Sequence, residues 1–432
     1  MAFSNKDYKR LGDRIRSNSG HISEEDYEML QQLRVGYRDS LSTVFNTVEK
    51  MAHRIDRDCV CTYRIKRIES IISKLRRFPE MQVNRAEDIA GCRCILATEE
   101  AAYKLYNNII KRISKLPFEI KGKVNDYISS PKPSGYKSIH LNVVVKGENK
   151  RIEIQIRSIA NHNWATLVEI SDLLYDLKLK ENGEDSNPEL FELHRLLSLP
   201  SKELRTSDVF RIADTVIKYD YIKRIGTVFA QNYIDVRRHW YSRELQKKHF
   251  FLISTGHDGK PEIKGFLNFD TAESAYFEKF MNNKSNKNIV LTHLRQSSFA
   301  KISVAYSNYF LTFNNTIISI LSDLSKAVED TFAKNKVCAF KRYYLAFLDI
   351  MRFWIEKQIV EIQSFFADEN VKKSVKNHME WASTIDQCIR IFIEMFNSTQ
   401  KKLTFKGYNF FIYYVMKRKY KSFKSEVKQN TI

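Results

Sequence analysis

The sequence has little proline and glycine, and it has no long apolar run. Seven prolines and 13 glycines in 432 residues exclude collagen-like and linker-rich architectures. No stretch of about 18 consecutive apolar residues occurs, so we expect no transmembrane helix. The N-terminal segment MAFSNKDYKRLGDRIRSN is too polar for a secretory signal peptide. These absences predict a soluble, cytoplasmic protein without membrane partners.

Cysteine is also sparse, and its spacing is not that of a common zinc motif. The chain has six cysteines, and the first four form two C-x-C pairs. No C-x2-C pair combines with a second such pair or with spaced histidines, so a structural zinc site is not expected. Without a secretory signal, the cysteines are expected to remain reduced. They are Cys59, Cys61, Cys92, Cys94, Cys338 and Cys388.

Basic residues outnumber acidic residues, and the excess positive charge is unevenly distributed along the chain. The formal net charge is +20. Residues 201–432 hold 38 basic and 23 acidic residues, and therefore 15 of those 20 charges. A basic half of this kind favours a polyanionic partner such as RNA, or an acidic protein surface. A merely basic globular protein is the alternative.

Apolar periodicity and turn residues divide the chain into three parts. Residues 1–180 are predicted to form N-terminal helices followed by a mixed α+β domain. Residues 190–325 begin with helices and continue into a small α+β module with the pattern hairpin, helix, strand, helix. Residues 326–432 are predicted to form a basic helical extension. The polar segment 181–189 is the best candidate for a linker.

Basic residues in the first half are spaced as for polyphosphate binding. We predict a helix over residues 62–78, with Ile65, Ile68, Ile72 and Leu75 as its core face. Arg64, Lys66 and Lys74 would then supply positive charge near one end of the domain, with Ser70 among them. A helix face with these cations suits the phosphates of a nucleotide. The alternative is an ordinary solvated basic face.

Two carboxylates are predicted to lie on two separate strands of the same domain. Asp88 precedes the apolar segment IAGCRCILA, and Glu153 lies in the alternating strand RIEIQIR. Carboxylates that meet above a sheet suit Mg²⁺, which binds one or two protein oxygens together with substrate phosphates. Tyr136, in a loop with Gly135, is placed to stack on a base. Together these groups predict phosphoryl transfer between nucleotides.

The order of these motifs resembles the RelA/SpoT nucleotidyltransferase, or alarmone synthetase, family. The resemblance covers about residues 50–180 and consists of R-x-K…S…K, D-I-x-G-x-R, D-Y-I-x-x-P-K-x-x-G-Y-x-S-x-H and E-I-Q-I-R. It implies an α+β fold in which a mixed sheet is flanked by helices. It also implies transfer of the β,γ-pyrophosphate of ATP to a 3′-hydroxyl, with release of AMP.

The resemblance assigns roles residue by residue. Asp88 would bind Mg²⁺, and Glu153 would complete the metal site or accept the proton of the 3′-hydroxyl, two roles that the sequence does not separate. ATP phosphates would be held by Arg64, Lys66, Ser70 and Lys74. The acceptor would be bound by Lys132, Tyr136, His140, Gln155, Arg157 and Glu169.

The sequence departs from the family pattern around the acceptor. Asn125 replaces the usual lysine before D-Y-I, and Ser134 replaces the usual asparagine before G-Y. The usual W-A-x-x-E-H is here Trp164-Ala-Thr-Leu-Val-Glu169, so the glutamate is displaced by one position and the histidine is missing. These changes leave the acceptor open between a purine nucleotide and the 3′-CCA end of tRNA. A catalytically inactive module that binds RNA or protein is the non-enzyme alternative.

Three segments, MQVNRAEDIAGCR, W-A-T-x-V-E and a later A-Y-x-N-Y-F, together resemble the long toxic small alarmone synthetases, including the CapRel-type fused toxin–antitoxin group. The resemblance implies that Tyr306 and Tyr309, in a Y-x-x-Y motif, close over the nucleotide site and restrain it. It further implies a toxin or phage-defence effector, with an antitoxin or a phage protein as a partner of the C-terminal half. Residues 1–50 lack the metal-binding His-Asp pair of the bifunctional members, so no hydrolase activity is expected. The dipeptide His257-Asp258 is better explained as part of a hairpin turn.

Overall fold

The computed structural model describes residues 3–18, 22–83, 86–227, 244–255, 261–281, 289–295 and 313–366, with single residues outside these ranges. The chain forms two compact units. The first comprises residues 1–132, 136–162 and 245–306, and the second comprises residues 133–135, 163–244 and 307–432.

In the part of the chain that the structure describes, the first unit is built from nine strands and the helices that cover them. The helices are α1 (Asn5–Ser17), α2 (Glu24–Val35), α3 (Arg38–Ile55), α4 (Ile68–Arg77), α5 (Glu99–Arg112), the start of α6 (Ile159–Leu174) and α10 (Phe269–Met281). The strands are β1 (Val60–Ile65), β2 (Ala90–Leu96), β3 (Phe118–Ile120), β4 (Asn125–Asp126), β5 (Ile139–Val145), β6 (Arg151–Ser158), β7 (Phe250–Thr255), β8 (Pro261–Phe266) and β9 (Ile289–His293).

All nine strands belong to one mixed sheet. Its order is β3-β5-β6-β2-β1-β9-β7-β8, and β4 pairs with β5. Strands β2 and β6 are parallel, and the other pairs are antiparallel. The mixed sheet flanked by helices confirms the fold class expected for the first part of the chain.

The register gives the central strands one apolar and one polar face. Gly91 pairs with Glu153 across the parallel ladder, and Gly91 also pairs with Arg64 on β1. Because side chains alternate along a strand, Arg64 and Glu153 project from the same face of the sheet. Cys92 and Ile154 form the next pair and are buried in the core on the opposite face.

The expected helix over residues 62–78 is wrong at its start. Residues 62–65 belong to strand β1, and α4 begins only at Ile68. The segment VCTYRI is rich in β-branched and aromatic residues, which favour a pleated, half-buried position. Ile65 and Ile68 are three residues apart, which is the spacing of neighbouring apolar residues on one face of a helix, although they lie on different elements. On α4 itself the buried positions are Ile68, Ile71 and Leu75, whereas Ile72 is only half-buried.

The later α+β segment does not form a sheet of its own. The predicted hairpin is present as β7 and β8, and the predicted helix and strand are present as α10 and β9. However, β9 pairs with β1, so these strands extend the first sheet. The strands of the predicted α+β module within residues 190–325 are therefore part of the same sheet as the strands of the first 180 residues. The segment 181–189 contains α7 (Leu179–Asn182), a 3-10 turn at Gly183–Asp185 and the start of α8 (Pro188–Leu197).

The second unit is helical in the part that the structure describes. It contains the remainder of α6, α7, α8, α9 (Thr206–Lys218), α11 (Phe313–Ala333) and α12 (Val337–Phe366). Its buried apolar residues form their own core, which includes Ile212 on α9, Leu321 on α11 and Phe347 on α12. Among the described residues, no helix is long and apolar enough to span a bilayer.

Candidate active site

Lys66 and Lys74 converge on Asp88 at one edge of the polar face. Lys66 Nζ lies 2.6 Å from Asp88 Oδ2, and Lys74 Nζ lies 2.9 Å from Asp88 Oδ1. Lys66 follows β1, and its backbone N–H donates to the Ile89 carbonyl at 2.8 Å. Lys74 reaches the same carboxylate from the last turn of α4. The strand-to-helix connection therefore brings together two of the predicted phosphate-binding lysines and the predicted metal ligand.

The three groups alter one another's protonation. Burial alone would raise the Asp88 pKa, but the ammonium groups of Lys66 and Lys74 outweigh it and hold this pKa below its ordinary value. The Lys66 pKa is lowered because the effect of burial outweighs the attraction of Asp88, which would raise it. Asp88 is therefore a carboxylate near neutral pH, and a bound polyphosphate would compete with it for both ammonium groups.

The other two predicted ATP ligands lie on different elements. Arg64 is exposed on β1, two residues before Lys66, rather than on the helix that the sequence suggested. Ser70 lies in the first turns of α4 and is half-buried. Arg64 is close enough for its charge to disfavour protonation of Lys66. Such like-charge crowding is stabilised by an anion, as expected for a phosphate site.

A chain of hydrogen bonds connects Tyr136, His140 and Glu153. The Tyr136 hydroxyl lies 2.9 Å from His140 Nε2, and His140 Nδ1 lies 2.9 Å from Glu153 Oε1. Strand β5 carries His140 and pairs antiparallel with β6, which carries Glu153. The chain joins a base-stacking candidate to a candidate proton acceptor through one imidazole.

These hydrogen bonds also shift the pKa values of Tyr136, His140 and Glu153. Burial raises the Tyr136 pKa, but the charges of His140 and Arg157 outweigh burial and bring this pKa down to about 8. Burial likewise raises the Glu153 pKa, which the His140 hydrogen bond then lowers below its ordinary value. His140 has a raised pKa because its bonds to Glu153 and Tyr136 outweigh burial. The nearby Asp88 charge acts against ionisation of Glu153, which shows that the two carboxylates share one electrostatic environment.

Gln155 is fixed by two neighbours, one of which the sequence analysis did not select. Gln155 Nε2 donates to Glu153 Oε2 at 2.7 Å, and Arg93 Nε donates to Gln155 Oε1 at 3.0 Å. Arg93 lies two residues after Gly91 on β2 and pairs with Gln155 in the ladder. Its position in D-I-A-G-C-R was the available signal, because alternation along β2 places it on the polar face.

Arg157 is buried rather than open to an acceptor. Only 3% of it is exposed, and its guanidinium contacts His162 Nδ1. His162 Nε2 lies 2.8 Å from the Val304 carbonyl. Burial, followed by the Arg157 charge, keeps the His162 pKa well below its ordinary value. A neutral His162 accepts a hydrogen bond from Arg157 through Nδ1 and donates to the Val304 carbonyl through Nε2. Alternation along β6 places Arg157 on the same side of the sheet as Glu153 and Gln155, where its charge lowers the Tyr136 pKa.

Two half-buried tyrosines and the exposed Lys132 form an aromatic corner next to His140. The Lys132 ammonium lies 4.7 Å from the ring centroid of Tyr127 and 5.4 Å from that of Tyr136. The two rings meet edge to face with centroids 6.0 Å apart. Gly135 has a φ of +93°, a left-handed value that a side chain would strain. An aromatic surface beside a lysine suits a base with an attached phosphate.

The donor set at Asp88 and Glu153 fits a hard divalent cation. Both groups are carboxylates that stay ionised near neutral pH, and their side chains are 24% and 20% exposed. Oxygen ligands of this kind, completed by water and substrate phosphates, suit Mg²⁺. The two roles foreseen for Glu153 both remain chemically open, because one of its oxygens contacts His140 and the other contacts Gln155.

Three predicted site residues are not placed with this group. Glu169 lies on the part of α6 that belongs to the second unit, and its role stays a prediction. Tyr306 and Tyr309 lie outside the described residues, as do His257 and Asp258.

Comparison with known proteins agrees with the motif order. Residues 63–179 match the family profile described as the region found in RelA / SpoT proteins. The GTP pyrophosphokinase YwaC of Bacillus subtilis (strain 168) is 39% identical over 116 residues, which are 24% of this chain and 53% of that protein. A guanosine-3′,5′-bis(diphosphate) 3′-pyrophosphohydrolase of Borreliella burgdorferi is 30% identical over 165 residues, which are 37% of this chain and 22% of that protein.

A solved structure is also similar over part of the chain. The small alarmone synthetase 1 of Bacillus subtilis, bound to its product pppGpp, is 24% identical, with a TM-score of 0.34. That match covers 40% of this chain and 90% of the solved one. The matched segment spans about half of the length of YwaC and less of the longer relative. The resemblance to the RelA/SpoT family is thus confirmed for residues 63–179, and the CapRel-type resemblance stays a prediction.

Proposed function

We propose that residues 63–179, the RelA/SpoT region of this chain, form the catalytic part of an ATP-dependent pyrophosphokinase. One observation carries the proposal. Lys66, Lys74 and Asp88 lie on the same polar face as the series of hydrogen bonds that connects Glu153 to Tyr136 through His140. One end of this face offers cations and a carboxylate to a metal-bound triphosphate. The other end offers an aromatic surface and a proton acceptor to a nucleotide with a free 3′-hydroxyl.

The proposed reaction uses the two ends together. The acceptor 3′-oxygen bonds to the β-phosphorus of ATP, the bridging bond to the α-phosphate breaks, and AMP leaves. Asp88 would hold Mg²⁺, and Glu153 would either complete the metal site or accept the hydroxyl proton. The ion would neutralise phosphate charge when bound. Lys66 and Lys74 would exchange part of their contact with Asp88 for phosphate oxygens. Positioning and charge neutralisation would supply most of the acceleration, as is general for phosphoryl transfer.

The hydroxyl proton has a route within the observed hydrogen bonds. Glu153 is ionised, and His140 Nδ1 lies against its carboxylate. An acceptor hydroxyl within hydrogen-bond reach of Glu153 can pass its proton to this carboxylate, while His140 keeps the side chain oriented. Tyr136 would remain the stacking surface for the acceptor base.

The first experiment is a transfer assay on the purified chain. The protein would be incubated with Mg²⁺ and γ-labelled ATP, with GDP, GTP, ADP or deacylated tRNA offered separately. We expect a labelled acceptor, and labelled AMP when α-labelled ATP is used instead. Labelled ADP would indicate transfer of a single phosphoryl group and would contradict the proposal. The Glu153→Gln variant should lose the product, whereas Glu119→Gln, on the exposed edge strand β3, should keep it.

Two acceptors are favoured by different observations. The names of the relatives, GTP pyrophosphokinase among them, favour a purine nucleotide. The 15 net positive charges of residues 201–432 and the altered acceptor loop favour the 3′ end of tRNA. Pyrophosphate on that end would block aminoacylation, which would make the chain a translation-blocking toxin or phage-defence effector. Label on tRNA alone, or on nucleotides alone, would decide between the two.

Restraint of this activity is part of the proposal. A pyrophosphokinase without a paired hydrolase would be toxic unless it is inhibited, and Tyr306 with Tyr309 is the motif that predicts inhibition by the C-terminal half. Replacing both tyrosines with alanine should raise growth inhibition on expression. Equal or weaker inhibition would count against this restraint, and the further change Asp88→Asn should abolish inhibition if catalysis causes it. A phage protein or an antitoxin would act by changing the same restraint.

A further inference from the structure

Thiols and an imidazole converge on the apolar side of the sheet, away from the polar face. Cys59 Sγ lies 3.3 Å from His53 Nδ1 and 3.8 Å from Cys61 Sγ. Cys61 Sγ lies 3.7 Å from Cys94 Sγ on the neighbouring strand. The four residues are between 1% and 3% exposed. The catalytic proposal uses none of them.

Local structure explains why the residues meet. His53 is in the last turn of α3, and four residues separate the end of α3 from the start of β1. Cys59 and Cys61 are two residues apart in extended backbone, so their sulfurs project to the same side. Cys94 pairs directly with Cys61 across the β1–β2 ladder. The helix end and two strands thereby supply three thiols and one imidazole to one small volume.

The spacing corresponds to a tetrahedral thiolate site. With zinc–sulfur bonds of about 2.3 Å and zinc–nitrogen bonds of about 2.0 Å, the edges of the tetrahedron are about 3.8 Å between sulfurs and about 3.5 Å between sulfur and nitrogen. The three observed distances lie within about 0.2 Å of these edges. The ligating atoms of His53, Cys59 and Cys61 all lie within 4.8 Å of one another, so a single ion can contact all three.

A carboxylate faces the far side of the imidazole at ion-pair distance, without hydrogen-bond geometry. His53 Nε2 lies 3.3 Å from Glu49 Oε1, and Glu49 also contacts His293 Nδ1 on β9. A carboxylate behind a ligating histidine fixes its tautomer and its ring orientation. Without a metal, Nδ1 of His53 has the Arg57 carbonyl, 3.2 Å away, as its other partner.

We propose that His53, Cys59 and Cys61 bind a zinc ion, with Cys94 as the candidate fourth ligand. The thiols would lose their protons to solvent on binding, since the thiolate is the ligand. A mixed sulfur and nitrogen set selects zinc over the hard cation expected on the polar face. The ion would join α3 to β1, and also to β2 if Cys94 is the fourth ligand. Four protein ligands would leave no open position, so its role would be structural.

The test is the metal content of the full chain. The protein would be expressed with added zinc, purified without metal-affinity resin or chelator, and analysed by native mass spectrometry and elemental analysis. We expect about one zinc per chain in the wild-type protein and less than about a tenth of that in Cys59→Ser and His53→Gln. Cys92→Ser is the matched control, because Cys92 is a buried thiol on the same strand as Cys94 but pairs with Tyr63 rather than with a cysteine.

Cobalt provides a readout on the wild-type protein, which does not depend on how the ligand variants fold. Wild-type protein stripped of zinc and loaded with Co²⁺ should show a thiolate-to-cobalt charge-transfer band at a one-to-one ratio, and Cys92→Ser should show the same band. Wild-type protein with neither zinc nor this band would overturn the proposal. Loss of two hydrogen masses from the wild-type chain without metal would also overturn it and would identify a disulfide instead. Pyrophosphate transfer can succeed or fail independently of these results.

Discussion

The Tyr136 hydroxyl lies 2.9 Å from Nε2 of His140, and this contact places a phenol of lowered pKa at the proposed acceptor site. In the tyrosinate form, His140 donates to the phenolate from Nε2 and to Glu153 from Nδ1. In the phenol form, Tyr136 donates to a neutral imidazole. The contact therefore couples the stacking residue to the carboxylate that is proposed to accept the proton.

Tyr136→Phe should change how stability depends on pH. The folded-state pKa of Tyr136 is about 8, below the ordinary value of 10. Between these values the unfolded chain holds the proton that the folded chain has lost, so this group adds stability as pH rises through 8. The gain is worth about 1.4 kcal/mol per pH unit until the unfolded tyrosine ionises as well. Urea unfolding at pH 7.5 and 9.5 should show this gain in wild type but not in Tyr136→Phe, and an equal pH response in both proteins would contradict it.

Asp88→Asn should remove transfer activity without removing the fold. The change takes away the counter-ion of Lys66 and Lys74 and one proposed metal ligand. We expect activity to fall at least about 100-fold, the usual scale for a lost electrostatic group in a site. Initial rates with saturating ATP would measure it, beside circular dichroism as a check of folding. Activity within a factor of a few of wild type would exclude Asp88 from the metal site, and Glu119→Gln provides the matched loss of an exposed carboxylate.

Gly91→Ala should disturb the ladder that positions Glu153. A Cβ at residue 91 would lie 2.6 Å from the Glu153 carbonyl oxygen, which is backbone and cannot move aside alone. Overpacking of this kind costs about 1–3 kcal/mol of the free energy of unfolding. Gly36→Ala is the control, since Gly36 already has a helical φ of −59° and should change stability by less than about 1 kcal/mol. Equal unfolding midpoints for the two variants would show that β2 and β6 tolerate the extra methyl group.

Salt should separate the two proposed acceptors. Binding of tRNA by basic residues releases counterions, so labelling of tRNA should fall at least about tenfold between 0.05 and 0.3 M salt. Labelling of a free nucleotide should change much less, because fewer phosphate contacts are formed. Initial rates for both acceptors in the same salt series would measure the difference. Labelling of tRNA that is independent of salt up to about 0.3 M would remove the tRNA proposal.

The local sequence pattern was sufficient to predict which side chains share much of the polar face. Period-two alternation in RIEIQIR correctly predicts that Glu153 and Gln155 share a side, because that period is a property of extended backbone alone. The loop with Tyr136 and the hairpin that carries His140 follow from turn residues and alternation in the same way. The same reasoning misassigned Arg64, because Ile65 and Ile68 lie on a strand and a helix yet are spaced like neighbours on one helix.

Other features had no local signal at all. Strand β9 pairs with β1 although more than 200 residues separate them along the chain. Nothing in the segment NIVLTHL indicates which strand it pairs with. The contact between His53 and Cys59 depends on how α3 turns into β1, so spacing rules for zinc motifs did not detect it. The convergence of Lys66 and Lys74 on Asp88 likewise depends on a connection between elements.

The amino-acid sequence by itself determined the elements, the alternation of their faces and the ordered motifs that match the RelA/SpoT region, since these depend on residues close together in the chain. Tertiary structure alone decided which groups touch: the Asp88 ion pairs, the path from Tyr136 to Glu153 and the cluster of thiols around His53. Pairing between distant strands is stabilised by burial and by ladder hydrogen bonds that form only when the sheet assembles. The chemistry of both proposed sites arises from that assembly.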